Sequence, residues 1–197
     1  MKTILKETRA AIIATLVFAV VLCGIYPVAI WGASLLLFPP AANGSLIESK
    51  DRTIVGSELL GQNFAGTKYF HPRPSAAGAT GYNAISSGGS NLGPTSQKLI
   101  DAVKARLKAY REENTLPAST LVPGDAVTAS ASGLDPHISI RNAGLQVPRV
   151  AKARSITVNV VQRELLTATD GRSLGFLGEP GVNVLKLNIA LDNLTVH

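Results

Sequence analysis

Three histidines, His71, His137 and His197, are the side chains best suited to move a proton or hold a metal near neutral pH. They lie far apart in the chain. None stands at i, i+3 or i, i+4 from a second ligand-type residue, so the spacing offers no metal site. Serines are plentiful, but a Ser/His triad on the usual strained Gly-x-Ser-x-Gly turn has no counterpart here, and no catalytic set is assigned. Capping or surface roles suit these histidines better.

Two glycine-rich stretches imitate phosphate-binding loops. Gly61-Gln-Asn-Phe-Ala-Gly66-Thr67-Lys68 has Walker A glycine spacing, but its last two residues are reversed and no strongly apolar strand precedes it. In Ser87, Gly88, Gly89 and Ser90, neighbouring glycine amides could form an anion-binding nest. That makes these four the candidate nucleotide contacts, against the plainer reading of an ordinary loop. Arg141, Arg149, Lys152 and Arg154 could form a basic face for lipid head groups or an acidic partner, or a solvated helix surface.

The elements that must position these residues divide at the first forty positions. From Ala10 to Phe38 the chain has no charged, histidine or amide side chain. At 1.5 Å per residue such a helix reaches about 43 Å against a hydrocarbon core near 30 Å, so it spans a bilayer with slack for tilt. Tyr26 and Trp31 fall late in the run, where amphipathic rings favour the interface; Pro27 should kink the helix, and Pro39-Pro40 should end it. Lys2, Lys6 and Arg9 precede the run, and the next basic residue is Lys50. The positive-inside bias therefore puts residues 1–9 in the cytoplasm, residues 10–38 in the membrane and residues 39–197 outside. A cleaved signal peptide is the rival reading, but its apolar core would be much shorter.

Sixteen basic and twelve acidic side chains follow Phe38, a scattered excess that argues against a nucleic-acid partner. The only cysteine, Cys23, lies inside the apolar run, so the outer domain must fold on packing alone. Its pattern predicts a mixed α+β fold. Short extended pieces occupy residues 43–72, with β-branched Thr53-Ile54-Val55 among them. Arg73 to Ser96 reads either as a flexible linker or as an ordered loop that uses its glycines for positive φ. A helix should start near Pro94, with Leu99, Val103, Leu107 and Tyr110 on one face. A second should open with Asp135 as N-cap and break or kink at Pro148. A third should run from Ser155 to about Ala168, followed by a loop with a short strand at Leu174 to Leu177. The tail from Val182 fits a helix or a slipped strand, the helix being preferred.

Many blocks, in order, resemble the KdpC family, the C subunits of bacterial Kdp-type potassium-transporting P-type ATPases. They include Asn43-Gly-Ser-Leu-Ile47, Gly61-Gln-Asn-Phe64, Tyr69-Phe-His-Pro-Arg-Pro-Ser75, Tyr82-Asn83, Ser87-Gly-Gly-Ser-Asn-Leu92 and Thr128-Ala-Ser-Ala-Ser-Gly-Leu-Asp-Pro-His-Ile-Ser139. Further along come Gln146-Val-Pro-Arg-Val-Ala-Lys-Ala-Arg154, Leu174-Gly-Phe-Leu-Gly-Glu-Pro180 and Val182-Asn-Val-Leu. One departure is Gly181, where a basic residue is expected.

The resemblance implies a single-pass protein of the bacterial inner membrane, N-terminus in. It would be an accessory subunit that stabilises the complex and assists ATP binding and hydrolysis by the catalytic subunit, without turnover of its own. The chain carries no Asp-Lys-Thr-Gly-Thr phosphorylation sequence. The implied partners are a channel-like potassium-binding subunit, the P-type ATPase subunit, a small single-helix subunit and the lipid bilayer. No cofactor would be held firmly; ATP would be met with the catalytic subunit, and potassium is the transported ion. Candidate partner-interface residues are Tyr69, Phe70, His71, Arg73, Asn83, Asn91, Asp135, His137, Arg149 and Arg154. The alternatives are direct ATP contact through the Ser-Gly-Gly loop, or an anchored module binding an external ion or solute.

Overall fold

The computed structural model describes residues 2–49 and 52–194, so His197 lies outside the described residues. The chain forms two compact units, residues 1–47 and 48–197. The first is built on helix α1 (Lys2–Val20), a π-helical turn (Val21–Ile25) and helix α2 (Tyr26–Leu37), followed by the short α3 (Pro39–Ala42). The helix thus begins well before Ala10. The continuous helical span Thr3–Leu37, 35 residues, is about 52 Å long by helical rise, with Lys6, Glu7 and Arg9 in its first turns and the apolar part beginning at Ala10. None of it is buried within the chain. Where the sequence predicts a kink at Pro27, the structure has a π turn just before it: Tyr26 N–H donates to the Val21 carbonyl, five residues back. Because Pro27 has no N–H to close the next turn, the ladder widens locally instead of breaking.

Short strands β1 (Leu46–Glu48) and β2 (Ile54–Ser57) make a two-stranded ribbon where the chain passes from the first unit to the second. The second unit is a mixed fold. Strands β3 (His137–Ser139), β4 (Thr169–Asp170) and β5 (Gly181–Asn183) form an antiparallel sheet in the order β3-β5-β4. Ile138 pairs with Val182, and these two face the core at 2% and 0% exposure. Helices α5 (Ile140–Arg154), α6 (Val158–Thr167) and α7 (Val184–Asn193) supply Val147, Val150, Val161, Leu165, Leu187 and Leu191 to the same cluster. Helix α4 (Gln97–Glu113) offers a mostly half-buried face of Leu99, Val103 and Leu107, with Tyr110 buried.

Several element boundaries differ from the sequence expectation, each for a local reason. Helix α4 starts after Ser96, with Pro94 in the preceding turn. Asp135 is not a helix cap. Its carboxylate accepts from His137 N–H and from Arg73, and residues 137–139 join the sheet before Ser139 caps α5 by accepting from Asn142 N–H. Pro148 sits inside α5 without ending it. The carbonyl it leaves unpaired, that of Gly144, lies on the exposed side of the helix, where water can bond it. Ser155 closes α5 in a left-handed conformation (φ 56°) rather than opening the next helix, which begins after Thr157. Leu174 to Leu177 form a turn closed by the Ser173–Leu177 bridge, not a strand. The ambiguous tail is both elements in series, β5 and then α7, with the Asn183 side chain capping α7 at Lys186 N–H.

Candidate functional site

The aromatic block at Tyr69-Phe70-His71 crosses the unit as an extended strap held by side chains in place of a neighbouring strand. Asn188 of α7, wholly buried, accepts from Phe70 N–H (2.8 Å) and donates to Phe70 C=O (3.0 Å). Gln146 of α5 repeats the pattern one residue on, accepting from His71 N–H (2.8 Å) and donating to His71 C=O (3.2 Å). Two primary amides thus imitate the ladder of a β-strand. Backbone groups in this dry position would otherwise be unpaired at substantial cost.

From Gln146 the network extends in two directions. Its amide also donates to Asn142 Oδ1 (3.0 Å), which accepts from the Tyr110 hydroxyl (2.8 Å). Asn142 in turn donates to Asp125 (2.9 Å), whose carboxylate also takes the Ser139 N–H and hydroxyl. Burial, helped by the Asp125 charge, pushes the Tyr110 phenol well above its ordinary range, so it remains a donor. On the other side Arg149 distributes its guanidinium over Asn114 (2.9 Å), Gln146 (2.8 Å) and the carbonyls of Thr67 (2.6 Å) and Tyr69 (3.0 Å).

Beside Arg149, His71 places Nδ1 3.3 Å from Glu113 and Nε2 3.2 Å from the Gly66 carbonyl. Both ring nitrogens face acceptors, which favours the charged form. Burial and the neighbouring Arg149 nevertheless outweigh Glu113, and the imidazole pKa lies below its ordinary value. Arg154 donates to the Lys68 carbonyl (2.7 Å), lies 2.8 Å from Asp192 and rests over the Tyr69 ring. The basic face expected from α5 is therefore only partly a solvent or ligand face, because Arg149 and Arg154 are spent on backbone carbonyls.

The Gly/Ser/Asn segment after Arg73 has almost no regular structure, yet it is tied in detail. Ser75 Oγ donates to Gly133 C=O (2.6 Å) and accepts from the N–H groups of Ala77 (3.1 Å) and Tyr82 (2.8 Å). Tyr82 adopts φ 55° and donates its hydroxyl to the Arg73 carbonyl, and burial raises its pKa to about 12. Further on, Gly88 N–H and the Ser87 hydroxyl both donate to the Ser132 carbonyl, at 2.8 and 3.0 Å. Gly89 lies so close to the 130–133 segment that a Cβ there would sit 2.8 Å from the Ala131 carbonyl oxygen. Glycine is needed at 89, though not at 88, for this close approach. Two of the donors that would have formed a phosphate nest are directed at the protein itself.

The structure thus brings Tyr69, Phe70, His71, Arg149 and Arg154 together around one strap. A second group joins Arg73 and Asp135 (2.9 Å) and sets His137 2.8 Å from Asp170. Gly181, which pairs with Ser139 across the sheet, leaves room for the His137 side chain, whose Cβ lies 3.1 Å and two ring carbons 3.4 Å from where a Cβ at 181 would be. Asn83, Ser90 and Asn91 are exposed and belong to neither group, Asn91 standing at φ 50°. Sequence reasoning missed Asn114, Asp125, Asn142, Gln146 and Asn188. The available signal was polar residues at 142, 146 and 149, which recur at helical spacing beside buried Ala143, Val147 and Val150. Among the described residues no cluster of His, Cys, Asp or Glu could hold a metal ion.

These tethered segments coincide with the sequence blocks noted above. Residues 8–193 match the family model described as "KdpC: K+-transporting ATPase, c chain". The chain belongs to the KdpC family. A potassium-transporting ATPase KdpC subunit of Mycobacterium tuberculosis (strain H37Rv) is 56% identical over 189 residues, covering 96% of this chain and 99% of that protein. The counterpart from Nitratidesulfovibrio vulgaris is 52% identical over 190 residues (96% and 95%). The one from Geobacter sulfurreducens is 47% identical over 190 residues (96% and 99%).

Proposed function

We propose that the chain is an anchored, non-catalytic subunit of a potassium-uptake ATPase, with its second unit on the outer face of the cytoplasmic membrane. One observation carries this reading: a 35-residue helix, apolar from Ala10 onward and with no residue buried by its own chain, leads into a separately packed unit. Such a helix requires lipid or the helices of other subunits around it. The basic flank of Lys2, Lys6 and Arg9 supports an inward N-terminus. The family supports the partners: a channel-like potassium-binding subunit, a P-type catalytic subunit and a small single-helix subunit.

Help given to ATP binding then acts across the membrane, as coupling between distant sites through the anchoring helix. The internal use of the Gly88 amide and Ser87 hydroxyl supports this indirect route over direct ATP contact. Co-purification through an affinity tag on this chain tests the reading. Potassium-transport subunits should accompany the full-length chain and be largely lost when residues 1–37 are removed. Their absence from the full-length preparation would refute it.

A further inference from the structure

A groove of about 710 Å³ lies along the C-terminal half of α4 and the Thr115–Ala118 segment, away from the strap. Leu107, Leu116 and Pro117 supply apolar lining, and Lys104, Lys108 and Arg111 supply charge. Glu112 is the one acid lining it, 3.9 Å from Lys108 with both side chains well exposed, a pair that offsets little of the field. Arg111 is held in place by its donation to the Thr120 carbonyl (2.9 Å), and its Nε is buried without a partner. Basic residues in the last turn of a helix answer the dipole there. Lys104 lies too far from the helix end for that explanation, and among the described residues it has no ion pair. The groove therefore combines an apolar lining with an excess of positive charge.

We propose that this groove receives an extended acidic segment, carrying an aliphatic side chain, from a fellow subunit of the ATPase. The proposal rests on the functional reading above and names the partner surface within it. Its size falls in the range of sites that seat a small ligand or a peptide anchor. Charge complementarity specifies the sign of the occupant, and the leucines and proline specify an apolar anchor.

The test places a photo-crosslinking benzoylphenylalanine at Leu116 in the full-length chain, within the assembled complex in membranes. Crosslinked peptides are then identified by mass spectrometry. The expected product joins Leu116 to a segment of another subunit that contains several carboxylates. The K104E/K108E variant should lower the crosslink yield roughly tenfold at low salt and less at high salt. K104Q/K108Q should fall between, and a circular-dichroism melt confirms that both variants fold. Crosslinks to lipid alone, to a second copy of this chain, or to nothing in a complex that has assembled would each overturn the groove proposal while leaving the subunit reading intact. Failure of the complex to assemble around the unmodified chain would overturn both.

Discussion

Replacing Asn188 with leucine, which is similar in size, should be among the most damaging single changes in the second unit. Asn188 is fully buried and makes two hydrogen bonds, to Phe70 N–H and to Phe70 C=O. Leucine fills the space but leaves one backbone donor and one acceptor unpaired in a dry site. At about 1–3 kcal/mol for each stranded group, the expected loss is about 3–4 kcal/mol once some relaxation is allowed. With a urea dependence of about 2 kcal/mol per molar, the midpoint should fall by roughly 1.5–2 M. The assay is urea unfolding of the full-length chain in a mild detergent, followed by far-ultraviolet circular dichroism. Gln146→Leu should act similarly, because it frees the same two groups of His71. The double variant should lose less than the sum, since the strap is already released by either change. A loss below about 1 kcal/mol for Asn188→Leu, or full additivity in the pair, would refute the idea that these amides jointly hold the strap.

Other expectations are more local. Gly88→Ala should be nearly neutral and Gly89→Ala clearly destabilising, because an added Cβ meets nothing at 88 and the Ala131 carbonyl oxygen at 2.8 Å at 89; thermal melts of the two variants measure the contrast. The folded state holds the His71 pKa below 6.5, so it binds fewer protons than the unfolded chain in the window beneath that value. The stability linked to His71 is therefore complete above 6.5 and is lost as pH falls toward the folded pKa. His71→Asn should flatten this part of the slope, seen as a smaller difference between urea midpoints at mildly acidic and slightly alkaline pH. Replacing Lys2, Lys6 and Arg9 together with glutamine should lower the fraction of chains inserted N-terminus in, measured by protease accessibility in spheroplasts.

The apolar span and the face of α4 were legible because each depends on local period and composition. The ends of α5 were not. Asp135-Pro136 carries the local signature of a helix start, but pairing of residues 137–139 with β5 delays the helix until Ser139. Pro148 looks like a breaker, and the position of Gly144 toward solvent lets the helix continue. Composition at residues 73–96 suits a linker equally well. The order there comes from partners some fifty residues later, Ser132 and Gly133, which no local window contains. The same holds for the strap, whose hydrogen bonds reach across 75 and 118 residues of sequence. The blocks contain many of the residues that act as internal tethers, but that role became visible only in three dimensions.

The sidedness of the second unit is the claim on which the proposed function most depends. Its direct measurement is labelling of a single cysteine introduced at exposed Leu166, in a Cys23→Ser background, with a membrane-impermeant maleimide applied to intact spheroplasts. The proposed function requires labelling before lysis that equals labelling after it. Labelling that occurs only after lysis would put this unit in the cytoplasm and contradict the orientation proposed for it.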